Sequence, residues 1–168
     1  MALKKSSEVI RIGFSIDESA PDTFTQSRVD LQLNPLDQEV FVIVAADLDP
    51  AAPNLIDGQN TQVAMSCSAT SKTGFTNLND SDCIANTVLD IRVSATPGSG
   101  VGFTRTSLDT PQGDTPYIAI VATNDFFVQL QGTNNGAAKT GFGALWGYRA
   151  KADAATYAAL VQSEVLSS

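Results

Sequence analysis

Short runs of alternating apolar and polar residues, each closed by a turn cluster, recur along nearly the whole chain. Ile10, Ile12, Phe14 and Ile16 alternate with Arg11, Gly13 and Ser15, and Asp17–Asp22 with Pro21 ends that run. Val29, Leu31 and Leu33 continue the pattern until Asn34-Pro35. Val63, Met65, Cys67 and Ala69 form another stripe, and Leu89, Ile91, Val93 and Ala95 a further one. Period-two alternation puts every second side chain on one face of a strand, so each run reads as a half-buried strand. Val40–Leu48 and Tyr117–Thr123 are apolar on both faces and read as strands covered from two sides.

Two connections are too long for tight hairpins. Asp49–Asn60, which includes Asp49-Pro50-Ala51-Ala52-Pro53, and Thr110–Pro116 must carry the chain across sheet ends or between sheets. In Gly141–Ala150, Phe142, Ala144, Trp146 and Tyr148 read as the core stripe, with Gly141, Gly143 and Gly147 on the other. Val128 and Leu130 read as core opposite Gln129 and Gln131. The period then changes. Ala154, Tyr157, Leu160, Val161 and Val165 follow helical spacing, and Asp153 is placed to cap the start, giving a helix over about 154–165. The expected fold is all-β. It is an antiparallel β-sandwich of jelly-roll type with about eight strands and a short C-terminal helix. At 168 residues it reads as a single domain over 1–168, with an N-terminal extension at 1–7 and a helix and tail at 152–168.

Catalytic equipment is sparse. The chain has no histidine, which excludes a Ser/His/Asp or Cys/His site and the usual zinc sites. Paired carboxylates are the remaining enzymatic option, with Glu8, Glu18, Glu39 and the aspartates as candidates; Glu39 and Asp90 flank strongly alternating segments. No residue is assigned a catalytic role, and the expectation is that the chain is not an enzyme. Asp47, Asp49 and Asp57 with Asn54 in one loop, and Asn79, Asp80 and Asp82 in another, could hold a structural calcium ion or be solvated turn carboxylates; no other cofactor is implied. Cys67 and Cys83 read as small buried hydrophobes kept reduced.

The net charge of −8 argues against binding nucleic acid through clustered cations, and Lys4-Lys5 is the one adjacent basic pair. The first residues carry no apolar secretion signal, and the longest apolar run, Val40–Ala46, is far too short to span a membrane. A cytosolic chain is the expectation. Low charge with many small polar residues suits lateral contact with other protein. Leu55, Ile56, Phe75, Leu78, Tyr157, Leu160, Val161 and Val165 are apolar residues in loop or terminal positions, and are the candidates for contact between copies.

Several segments together resemble the small single jelly-roll coat proteins of icosahedral viruses and phages. These are the Thr- and Asn-rich strands, the Asp49–Pro53 crossover, Tyr117–Phe127, and Gly147–Ala154 running from a last strand into a helix. The resemblance implies a capsid subunit that assembles with copies of itself in the host cytoplasm and resides in the virion, other capsid proteins being possible partners. Many such proteins contact the genome through a basic arm; two lysines ahead of the first strand do not make one. A decoration protein, a surface-array or filament subunit, and a carbohydrate-binding or hydrolysing sandwich are the alternatives. The last would need a groove with two carboxylates and solvent-facing aromatics.

Overall fold

A computed structural model describes residues 3–106 and 116–167. Its strands are β1 (Leu3–Lys5), β2 (Ile10–Asp17), β3 (Thr25–Asp30), β4 (Glu39–Pro50), β5 (Thr61–Ser68), β6 (Cys83–Val93), β7 (Gly100–Thr106), β8 (Ala119–Val121), β9 (Asp125–Thr133) and β10 (Thr140–Ala152). Helix α1 (Ala154–Ser167) follows. One sheet runs β1-β10-β4-β8 with β2 also on β10; the other runs β3-β9-β5-β6-β7.

The pairing is that of a jelly roll. β2 pairs with β10, β3 with β9, β4 with β8 and β5 with β6, all antiparallel. These four pairs are nested like one long hairpin, which then wraps into two sheets. Eight strands make the roll. β7 extends the second sheet at one edge, and β1 pairs with the last residues of β10. Residues 3–5, within the stretch read as an extension, are therefore part of the first sheet. β4 ends two residues inside the segment read as the Asp49–Asn60 crossing, and that crossing does pass from the first sheet to the second. The Thr110–Pro116 crossing lies outside the described residues up to position 115.

The core fills the space between the sheets. Phe41, Ile43, Met65, Phe126, Leu130 and Leu145 are fully buried there, and Phe14 meets Phe126 edge to face with centroids 5.6 Å apart. Cys67 lies in this core. The alternation read from β5 points inward as expected, and so does that of β2 at Ile12, Phe14 and Ile16, which share the core with Val63, Met65 and Cys67, whereas Ile10 at the start of β2 is 40% exposed.

β10 is turned the other way round from the sequence reading. Leu145 is in the core, and a Cβ on Gly141 would sit 2.8 Å from Met65 Sδ. A Cβ on Gly143 would sit 2.5 Å from Phe14. The glycine stripe thus faces inward, where large residues from β2 and β5 occupy the space a side chain would need, and Phe142 and Trp146 face outward. Gln129 also departs from expectation. It is on the outer face of the second sheet, yet fully buried, because the β5–β6 loop folds over it.

β4 is apolar on both faces for a visible reason. Phe41 and Ile43 enter the main core, while Val40 and Val42 form a second cluster with Ala122, Ala150 and Ala152. Tyr157, Leu160 and Val161 of α1 pack over that cluster. The helix begins where Asp153 accepts a hydrogen bond from Thr156 N at 2.7 Å, the expected cap.

Candidate functional site

The loops gather at the two ends of the roll, and polar side chains tie each end together. At one end Glu18, buried at the close of β2, accepts from Gly132 N and from Lys139 N at 2.8 Å. Lys139 Nζ donates to Ala52 O at 2.9 Å and Asn54 Oδ1 at 2.6 Å. Asn135 accepts from Asn54 N at 2.9 Å and donates to Gln62 O and Asp22 Oδ1 at 2.8 Å each, through Nδ2 and N. The β2–β3, β4–β5 and β9–β10 loops are thereby fixed to one another.

At the other end Lys72 is the hub. Its ammonium is 3.0 Å from Asp80, 3.1 Å from Asp82 and 3.0 Å from Ser167 O near the end of α1. Partial burial pulls its pKa down, but the two carboxylates outweigh that and hold it above the ordinary lysine value. Burial likewise acts to raise Asp80, but hydrogen bonds from the Asp82 backbone and Lys72, with the Lys72 charge, leave it below the usual carboxylate range. The Asn79–Asp82 acids therefore serve a lysine.

Of the other calcium candidates, Asp47 and Asp49 share a face of β4 and Asp57 stands apart from them. Asp57 accepts from Gly98 N at 2.9 Å, whereas Asp47 and Asp49 lie on β4 opposite Ala144 and Phe142. Among the described residues no three His, Cys, Asp or Glu side chains converge in a way that could hold a metal ion. The carboxylates weighed for chemistry are dispersed. Glu8 pairs with Lys5 at 3.3 Å, and Glu39 accepts from Asn34 N at 3.0 Å. Asp90 accepts from Gln62 Nε2 at 2.7 Å and lies within 3.6 Å of Arg92 and 3.5 Å of Arg105. Cys67 and Cys83 are free thiols near one another across the β5–β6 hairpin, where Ser68 pairs with Cys83.

Among the candidates for contact between copies, Tyr157, Leu160 and Val161 cover their own sandwich, and Val165 is exposed on the same helix. Leu55 is exposed and Ile56 half-buried in the β4–β5 loop. Phe75 and Leu78 are brought together. They line a groove of about 270 Å³ with Val88 and Arg105, on the outer face of β6 and β7.

Sequence reading missed the continuation of this patch. Leu89 pairs with core residue Val63, so beyond the irregularity at the start of β6 the residues Asn86, Val88, Asp90 and Arg92 face outward, and the β7 partners of the last three with them. Phe103, opposite Asp90, is 53% exposed; Val101, opposite Arg92, is 58% exposed; Leu78 is 66% exposed. The apolar residues of β7 carried a signal, since alternation in an edge strand exposes them unless something covers that face. No helix among the described residues is long and apolar enough to cross a membrane.

No family model matches this chain, and no curated protein matches it. Among solved structures, the chain is similar to one of Desmodium yellow mottle tymovirus, at 9% identity and a TM-score of 0.30, over 86% of this chain and 87% of that one.

Proposed function

We propose that this chain is a structural subunit of a closed protein shell, a capsid protein that works by docking against copies of itself. The observation that carries the reading is where the apolar surface lies on this jelly roll. Among the described residues, the space between the sheets is filled by apolar side chains of the roll itself. Apolar area is left on the outside in several separate places, among them Leu78, Phe103 and Val101 together, Leu55 in the β4–β5 loop, and Phe142 on β10. Jelly rolls serve in shells, lectins and small-molecule enzymes. A packed interior weighs against the last, and several separate apolar patches outside favour the first.

Magnitudes set the mode of assembly. Burying one such side chain is worth about 1.5–3 kcal/mol at most, while association costs about 4–15 kcal/mol. One small patch cannot hold two copies together. Several patches engaged at once can, which is the condition met by a subunit surrounded by neighbours. The loop networks around Glu18 and Lys72 support this by holding the docking surfaces rigid before contact.

Light scattering and negative-stain imaging of the expressed chain test the proposal. Closed particles or defined oligomers are expected, and Leu78→Glu with Phe103→Glu should return them to folded monomers. A chain that remains monomeric at every concentration and salt condition, and in the presence of any second shell protein from the same source, overturns it.

A further inference from the structure

Helix α1 covers only one half of the first sheet's outer face. Across the other half the strand registers lay out three rows on β2, β10 and β4. Arg11, Trp146 and Ala45 form the first row, Gly13, Ala144 and Asp47 the second, and Ser15, Phe142 and Asp49 the third. The middle row is small at Gly13 and Ala144. The aromatics of the outer rows are four residues apart on β10, about 13 Å along a strand. A shallow cavity of about 210 Å³ results, lined by Arg11, Asp47, Asp49, Phe142, Ala144 and Trp146 among others.

The carboxylates around this cavity are not used by the fold, and its guanidinium is used only through its face. The Arg11 guanidinium lies 5.5 Å from the centre of the Trp146 ring. That contact with the ring face uses none of its N–H donors, which stay available to a ligand. Asp47 and Asp49 are exposed, and neither takes a hydrogen bond or a cationic partner among the described residues. Phe142 is 55% exposed beside them.

This combination selects its ligand by exclusion and by fit. A polyanion would meet two carboxylates, and a polycation would meet the guanidinium. A neutral polyol satisfies both, its hydroxyls donating to Asp47 and Asp49 and accepting from Arg11. An apolar C–H face would then cover Phe142 in place of water. We propose that this face of the roll binds neutral saccharide, one or two sugar units of a longer chain lying across Phe142 and Ala144. Pockets that enclose a whole drug-sized ligand run to about 300 Å³ or more, so a small open site of this kind suits one segment of a polymer. The proposal does not depend on shell formation.

Trp146 is the chain's one tryptophan, so its emission reports the site directly. Neutral gluco-, manno- and galacto-oligosaccharides would be titrated against the whole chain, with polygalacturonate and oligolysine in parallel. At least one neutral series should give a saturable change in emission. Phe142→Ala and Asp49→Asn should each weaken it about tenfold, with circular dichroism confirming the fold, and Leu78→Glu should leave it intact. No saturable response to any neutral series, a response that survives both site variants, or preferential binding of either charged polymer overturns the proposal. So does loss of self-association in Asp47→Asn/Asp49→Asn with no saccharide response, which would make the face a contact between copies.

Discussion

Glu164, on the last turns of α1, accepts a hydrogen bond from Ala122 N at 2.6 Å and a second from Thr123 N at 3.0 Å. A buried carboxylate thus serves the two backbone donors where β8 turns into β9. It fixes the helix to the roll at a point where the apolar contacts of Tyr157 and Val161 give no register of their own. Glu164→Ala should destabilise the fold by about 1–3 kcal/mol, the cost of leaving a buried donor such as Ala122 N unpaired. Urea denaturation followed by circular dichroism measures it; a change within about 0.5 kcal/mol would show that water replaces the carboxylate.

The same residue carries a pH dependence of unusual sign. Burial pushes the Glu164 carboxyl above its ordinary value, outweighing the hydrogen bonds from Ala122 and Thr123, which act to lower it. The folded chain therefore takes up this proton before the unfolded chain does as pH falls. The contribution of the shift is fully present below the ordinary glutamate value of about 4.3 and is lost as pH rises through the higher folded value. The wild-type chain should gain stability relative to Glu164→Gln as pH is lowered from about 7 toward 4. Paired urea titrations across that window check it, and a difference that shrinks on acidification contradicts it.

Gln129 is held by three side chains at once. It accepts from Ser66 Oγ at 2.9 Å and donates to Ser68 Oγ at 2.7 Å and to Gln26 Oε1 at 3.0 Å. Ser66 in turn accepts from Thr76 N, and Gln26 from Lys72 N, both in the covering loop. Gln129→Ala strands several of these groups and should cost about 2–4 kcal/mol. Limited proteolysis should then cut within residues 69–82 well before global unfolding; an unchanged cutting pattern would mean the loop is held by other contacts.

Gly147 lies at the irregularity where β10 crosses β4, and a Cβ there would sit 2.5 Å from both Phe41 Cε1 and Val42 O. One of those atoms is backbone and cannot yield cheaply. Gly147→Ala should destabilise by about 1–3 kcal/mol, whereas Gly74→Ala, with nothing within 4 Å of the added carbon, should stay within about 0.5 kcal/mol. Thermal melts of the two variants side by side decide whether packing or glycine's backbone freedom matters at position 147.

The thiols should be inert in the native state. Burial and the nearby Asp80 charge push Cys83 up to about 11, with Lys72 opposing, and burial raises Cys67 further, helped by Cys83. Near pH 8 the Cys83 thiolate fraction is then on the order of one in a thousand. A chromogenic disulfide reagent should titrate both cysteines in denaturant and neither promptly without it. Rapid native labelling of one thiol would show that the β5–β6 hairpin opens.

Read by itself, the chain announced most of its strands, though not β1, and with them the inward parity of β5 and most of β2, the double-sided burial of β4 and the capped helix after Asp153. Each of these is recorded within a few residues, by alternation, by apolar runs, or by a capping side chain. Whether β10 turns its glycines or its aromatics inward is not recorded locally, because two stripes of equal period differ only in what the opposite sheet supplies. Met65 and Phe14, distant in sequence, fill the glycine side, and this leaves Trp146 and Phe142 outside beside Asp47 and Asp49. The burial of Gln129 and the service of Asp80 and Asp82 to Lys72 are likewise tertiary, since both depend on where a loop and a helix end come to rest. Periodicity fixes which side chains share a face, and only long-range packing determines what covers it.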